Sequence, residues 1–123
     1  MRRQRKADTR RYARFHVMEY ALIHKADHFD AVRSVVVDVG LGGIQVLSRQ
    51  QLKVGEVCTV TIGRSDGTRI SVPGEVRFSH PSPGAGGLYA SGMRFKPETH
   101  EQKSEVVDYV HGVFQRQADQ LAG

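Results

Sequence analysis

From Phe15 to Phe95 the apolar residues come in short runs, alternating or β-branched, each cut off by a turn signal; beyond Thr99 the period changes to that of a helix. This pattern constrains the fold more than any other feature of the chain. Phe15, Val17, Glu19, Ala21 and Ile23 alternate and mark a first strand, and Lys25 to Asp30 is a polar turn. Val32 to Val39 is rich in β-branched residues, which suit a well-buried pleat, and forms a second strand. Gly40 to Gly43 turns the chain, and Ile44-Gln45-Val46-Leu47 starts a third strand. Val57 to Ile62 is a fourth. Asp66-Gly67, between Ser65 and Thr68, is the signal of a two-residue hairpin. It leads into a fifth strand, Arg69 to Phe78, where Pro73-Gly74 predicts a bulge or edge irregularity. Pro81 to Gly87 is a loop, and Leu88 to Phe95 is the sixth strand.

The helical segment is expected over about 98–119. Thr99 with Gln102 fits a capping box. Val106, Val110, Val113, Phe114 and Gln117 share one face, flanked by Val107 and Tyr109, and that stripe needs a surface to pack on. The class is therefore mainly β: a six-stranded antiparallel β-barrel with a C-terminal α-helix across one opening. At 123 residues the chain suits one domain. Residues 1–9 are expected to be a flexible basic arm and residues 10–123 a single domain.

Charge is placed unevenly. Residues 1–14 hold seven basic residues and one acidic residue, a net +6, whereas residues 15–123 hold eleven basic and twelve acidic, a net −1. A near-neutral body is a poor match for a duplex, which needs a broad basic face, so nucleic acid is not an expected partner. No apolar run approaches the roughly 20 residues of a membrane span. No hydrophobic segment follows the N-terminal arginines, so a secretory signal is not expected either. Cys58 is the sole cysteine and lies in the apolar run Val57-Cys58-Thr59-Val60, the setting of a small buried hydrophobe. A reducing cytoplasm is the expected location.

The chemistry concentrates in two segments. Arg10-Arg11-Tyr12-Ala13-Arg14 ends the basic arm, and Asp38-Val39-Gly40-Leu41-Gly42-Gly43 closes the second strand. Guanidinium forks bind phosphate bidentately and stack on bases. A carboxylate accepts from amide-like N–H groups, such as the edge of a guanine. Glycines supply positive φ at a turn, or let backbone come close to a neighbour or a ligand. The combination suits a small, anionic, guanine-containing ligand. Enzymatic patterns are missing: there is no Ser-His-Asp order, P-loop or GxSxG, and the histidines are scattered. His24 and His28 are four apart but fall at a strand end and turn, without a Cys or carboxylate partner, so no metal site is expected.

Arg10-x-x-x-Arg14 followed by Asp38-x-Gly40-x-x-Gly43 resembles the two-part signature of the PilZ domain, RxxxR then [D/N]xSxxG. Gly92-Met93-Arg94-Phe95, followed by a helix, is similar to the G-x-R-F of the last strand in that family. The resemblance covers about residues 8–117, with one departure: Gly40 stands where the family has serine. It implies a non-enzymatic bacterial receptor for cyclic di-GMP without a cofactor, and the same barrel fold. By resemblance, Arg10 and Arg14 clasp phosphate and stack on guanine, Arg11 assists, Asp38 accepts from a guanine edge, and the backbone at Gly40 and Gly43 approaches the nucleotide. The arm would order on binding and signal to a protein effector. The missing serine hydroxyl keeps a second reading open, a divergent PilZ adaptor that no longer binds nucleotide. A small nucleic-acid-binding barrel using the arm is a third.

Overall fold

Six strands form where the alternation marks them, and they close on themselves. The computed structural model describes residues 14–63, 67–84 and 86–122. Its elements are β1 (Arg14–Lys25), β2 (Ala31–Gly40), β3 (Gly43–Ser48), β4 (Val57–Gly63), β5 (Arg69–Pro81), β6 (Tyr89–Phe95) and α1 (His100–Ala122). All pairings are antiparallel, and the closed barrel runs β1-β2-β3-β6-β5-β4. The mainly β barrel with a C-terminal helix is therefore what the chain forms. Arg10 and Arg11, with the arm at 1–9, lie outside the described residues.

The barrel interior is filled by inward-facing side chains: Ile23, Val36, Val39, Ile44, Val46, Val60, Ile62, Ile70, Val72 and Val76 are fully buried. Each such burial is worth about 1.5–3 kcal/mol relative to exposure. Cys58 joins this core. Burial holds its thiol above the usual range; Glu56 adds to the shift and Lys25 opposes it. It is a packing residue, as its sequence context implies.

Two local expectations need correction. The β4–β5 register pairs Gly63 with Arg69 and Ile62 with Ile70, one residue off the register of a two-residue Asp66-Gly67 turn. The turn residues 64–66 lie outside the described residues; Gly67, which follows them, has φ 88°. The irregularity expected at Pro73-Gly74 is not there: Thr59 and Cys58 pair regularly with Pro73 and Gly74. Pro73 is tolerated because its carbonyl already receives Lys96 N at 2.8 Å. The same edge of the strand, where the missing N–H would point, lies past the end of β6. The break in β5 falls instead at Arg77, between the pairs Val76–Met93 and Phe78–Gly92.

The helix starts two residues later than expected and runs to Ala122. Thr99 Oγ1 accepts from Gln102 N at 3.0 Å, while Gln102 Oε1 accepts from Glu98 N at 2.6 Å. The cap thus has both side chains of a capping box, with the return bond reaching one residue further back. Val106, Tyr109, Val110 and Val113 enter the barrel's core cluster. Tyr109, expected at the flank, is 1% exposed, whereas Phe114 is 52% exposed and meets Phe15 edge-on at 5.7 Å.

The buried Tyr109 keeps its hydroxyl satisfied by donating to Glu19 Oε1, and Arg116 meets the other carboxylate oxygen of Glu19 at 3.3 Å. Gln117 Nε2 donates to His16 O at 2.5 Å. The helix is thus held to β1 by polar bonds as well as packing. Tyr109→Phe removes a donor to a charged acceptor, a loss of about 1.5–3 kcal/mol. Thermal unfolding should show a melting temperature lower by about 5 °C or more; an unchanged value would mean that packing alone seats the helix.

Candidate ligand-binding site

The turn Leu41-Gly42 sets Gly40 opposite Gly43, Val39 opposite Ile44 and Asp38 opposite Gln45. A strict two-residue alternation would then make Asp38 share the inward side of Val36. It does not, because Val37 is an extra residue between the pairs Val36–Val46 and Asp38–Gln45. Val36 and Val39 are both fully buried while Asp38 is partly open. The bulge turns the carboxylate out of the core, a known use of such irregularities. The facing strand shifts register at the same level, between His16 and Glu19.

Two neighbouring rungs on the barrel's outer side build the site. One runs Arg14–Gly40–Gly43–Arg94, the other His16–Asp38–Gln45–Gly92–Phe78. Arginines stand at both ends of the first, about three strand spacings or ~14 Å apart, with two glycines between them. A cleft of about 530 Å³ lies here, lined by Arg14, Gly43, Gln45, Arg77, Phe78 and Arg94 among others.

Arg14 Nε donates to Asp38 Oδ1 at 2.8 Å, and both side chains are about one-fifth exposed, at 21% and 17%. The bond uses one of the five guanidinium N–H groups and one of the carboxylate's several lone pairs. Among the described residues both groups therefore keep capacity for a further contact, and each orients the other.

The glycines act differently from a turn that needs left-handed backbone. The positive-φ glycines among the described residues are Gly55, Gly67, Gly84, Gly86 and Gly87, not those of the turn. At Gly43 the reason is contact: a Cβ there would sit 2.0 Å from Met93 O. Gly92 likewise has no room for a side chain, since the Phe78 ring lies over it, its nearest atom 2.2 Å from where a Cβ would be. Gly40 and Gly43 are both buried.

Of the residues expected at the site, the fold brings Arg14, Asp38, Gly40 and Gly43 together. Arg10 and Arg11 fall outside the described residues. Sequence reasoning missed Gln45, Arg77 and Phe78, and noted Arg94 only as part of a strand motif. Gln45 was recoverable, because a two-residue turn between Gly40 and Gly43 puts it beside Asp38. Arg77 and Phe78 were not, since consecutive residues face outward together only where a bulge breaks the alternation.

A closed six-stranded antiparallel barrel with a C-terminal helix and a basic cleft on its outer wall defines the structural class. The PilZ domain model matches residues 8–112, and the chain belongs to the PilZ domain family. Among solved structures it is similar to the PilZ domain of YcgR from Escherichia coli, determined with c-di-GMP, at 15% identity and a TM-score of 0.72, covering 94% of this chain and 98% of that one. It is similar to the Bacillus subtilis inhibitor of motility MotI/DgrA at 15% identity and a TM-score of 0.72, covering 94% of this chain and 54% of that one. The K. pneumonia MrkH–c-di-GMP complex gives 10% identity and a TM-score of 0.76, covering 93% and 56%. The chain spans about half the length of MotI and of MrkH. At these identities the likeness is one of fold. No curated protein matches the chain. No helix among the described residues is long and apolar enough to cross a membrane.

Proposed function

We propose that this protein is a cytoplasmic receptor for cyclic di-GMP that passes the signal to a protein effector. The observation that carries the reading is the outer cleft lined by Arg14 and Gly43, beside which Asp38 holds Arg14 by a hydrogen bond and Gly40 pairs with both Arg14 and Gly43. Arg14 supplies a fork held in place by Asp38, and Gly42, Gly43 and Gly92 in the cleft lining keep its floor low enough for a flat base. The family match and the c-di-GMP bound to the PilZ domain of YcgR support the same ligand. Arg10 and Arg11, a few residues before β1 in the sequence, would add further forks for the phosphates. Ordering such an arm costs about 1–2 kcal/mol per residue, which charge-assisted contacts to phosphate offset. The ordered arm would then offer a partner a surface that the free protein lacks.

Gly40 favours one alternative, an adaptor that no longer takes nucleotide. Losing a single hydroxyl bond weakens affinity from a few-fold to about a hundredfold, and a bridging water can restore part of it. Attenuated binding is the expected result. Calorimetric titration of the full chain with cyclic di-GMP should give a dissociation constant in the micromolar range or below. Absence of heat and of a thermal shift at several hundred micromolar ligand would select the adaptor.

A further inference from the structure

The cleft has a wall outside the two-part signature, built by Arg77 and Phe78 of β5 with Arg94 of the last-strand G-x-R-F. Arg77 is the extra residue of the β5 bulge, so it and Phe78 face outward in succession, while Val76 before them is fully buried. Phe78 is 37% exposed and lies nearly parallel to His80, ring centroids 5.2 Å apart at 15°. Arg94 reaches the same cleft from β6. The acidic group nearest to Arg77 is Glu75, whose Oε1 is 3.9 Å from Arg77 and 3.7 Å from Lys96. These pairs are long and open to solvent, so they hold their cations weakly. Opposite Arg14 there is thus a second set of forks beside an exposed aromatic ring.

We infer that Arg77, Arg94 and Phe78 form a second contact wall, where the two arginines meet a phosphate and the Phe78–His80 pair gives a purine a stacking surface. This deepens the cyclic di-GMP reading and rests on it. The chemistry is that of any site taking a nucleotide along its length. Forks grip the anion, an aromatic plane takes the base, and glycines between the walls keep the floor low. Glu75 acts against the wall, because it shares Arg77 and Lys96 with an incoming anion.

Titration of the full chain with cyclic di-GMP tests this across five variants. Arg77→Gln and Arg94→Gln should each weaken binding about tenfold, with the melting temperature of the free protein unchanged, since both side chains are outside the core. Phe78→Leu still covers Gly92 but loses the ring face, and should bind about fivefold more weakly, with Phe78→Tyr restoring affinity. Glu75→Gln should bind more tightly, by about threefold. Amide shifts in NMR spectra of the unmutated chain should move across residues 77–80 as well as near Asp38. If the wild type binds while both arginine variants keep its affinity, or if residues 77–80 do not shift, the wall is refuted and the Arg14 end stands alone. If the wild type itself fails to bind, the functional reading falls and the wall with it.

Discussion

Arg14→Ala is expected to weaken cyclic di-GMP binding by about ten- to a hundredfold, the equivalent of one or two charge-assisted contacts. Arg14 holds the only position of the RxxxR motif that lies on a strand of the described barrel, and its geometry is fixed by Asp38. Its loss therefore removes donors to the nucleotide and also frees Asp38 from its orienting bond. The free protein should lose a little stability, about 1 kcal/mol, because the pair is only one-fifth exposed. Arg14→Lys keeps the charge but not the planar fork, and should recover only part of the affinity. Calorimetry with all three proteins decides the matter. Equal affinity for wild type and Arg14→Ala would move the ligand away from this end of the barrel.

Gly43→Ala should have the largest effect on folding. Its Cβ would lie 2.0 Å from Met93 O and 3.0 Å from Arg94 Cα, backbone atoms that cannot rotate away. Relief requires β3 and β6 to separate where they are hydrogen-bonded and packed. Overpacking of this kind costs about 3 kcal/mol, or a melting temperature lower by about 10 °C. Thermal unfolding without ligand reads this directly, and a drop of less than about 2 °C would mean the two strands can part cheaply. The last glycine of the signature thus has a reason to be glycine before any ligand arrives. Weak nucleotide binding by a destabilised Gly43 variant would report on the barrel and not on a contact.

The sequence made the strands legible because β-branched alternation and turn residues agree along most of the chain. The hairpin at Gly40–Gly43 and the helix cap at Thr99 followed from the same local signals. What escaped were effects that depend on neighbours in space. The Val37 bulge that turns Asp38 outward, and the Arg77 bulge that exposes Phe78, leave no mark in a run such as Val35-Val36-Val37 or Val76-Arg77-Phe78. Tyr109 looked like a flanking residue because its burial depends on Glu19, ninety residues earlier, accepting from its hydroxyl. Pro73 looked like a defect because the register that sets it just past the end of β6 could not be foreseen. At the site, the charges and glycines of the motif were readable, and the opposite wall was not.

Closure of the barrel limits how this protein can be addressed. Each of its six strands already has two neighbours, so the backbone groups by which an open sheet recruits an extra strand are used internally. Only short stretches are left for a donated strand, such as β1 before Ala21, which has no partner in β4 and whose His16 carbonyl already accepts from Gln117. Recognition then rests mainly on side chains, on the outer walls or along α1, where a substitution can change it without altering the ladder. Such an arrangement lets the same hydrogen-bonded cylinder keep its shape while the residues on its exterior diverge.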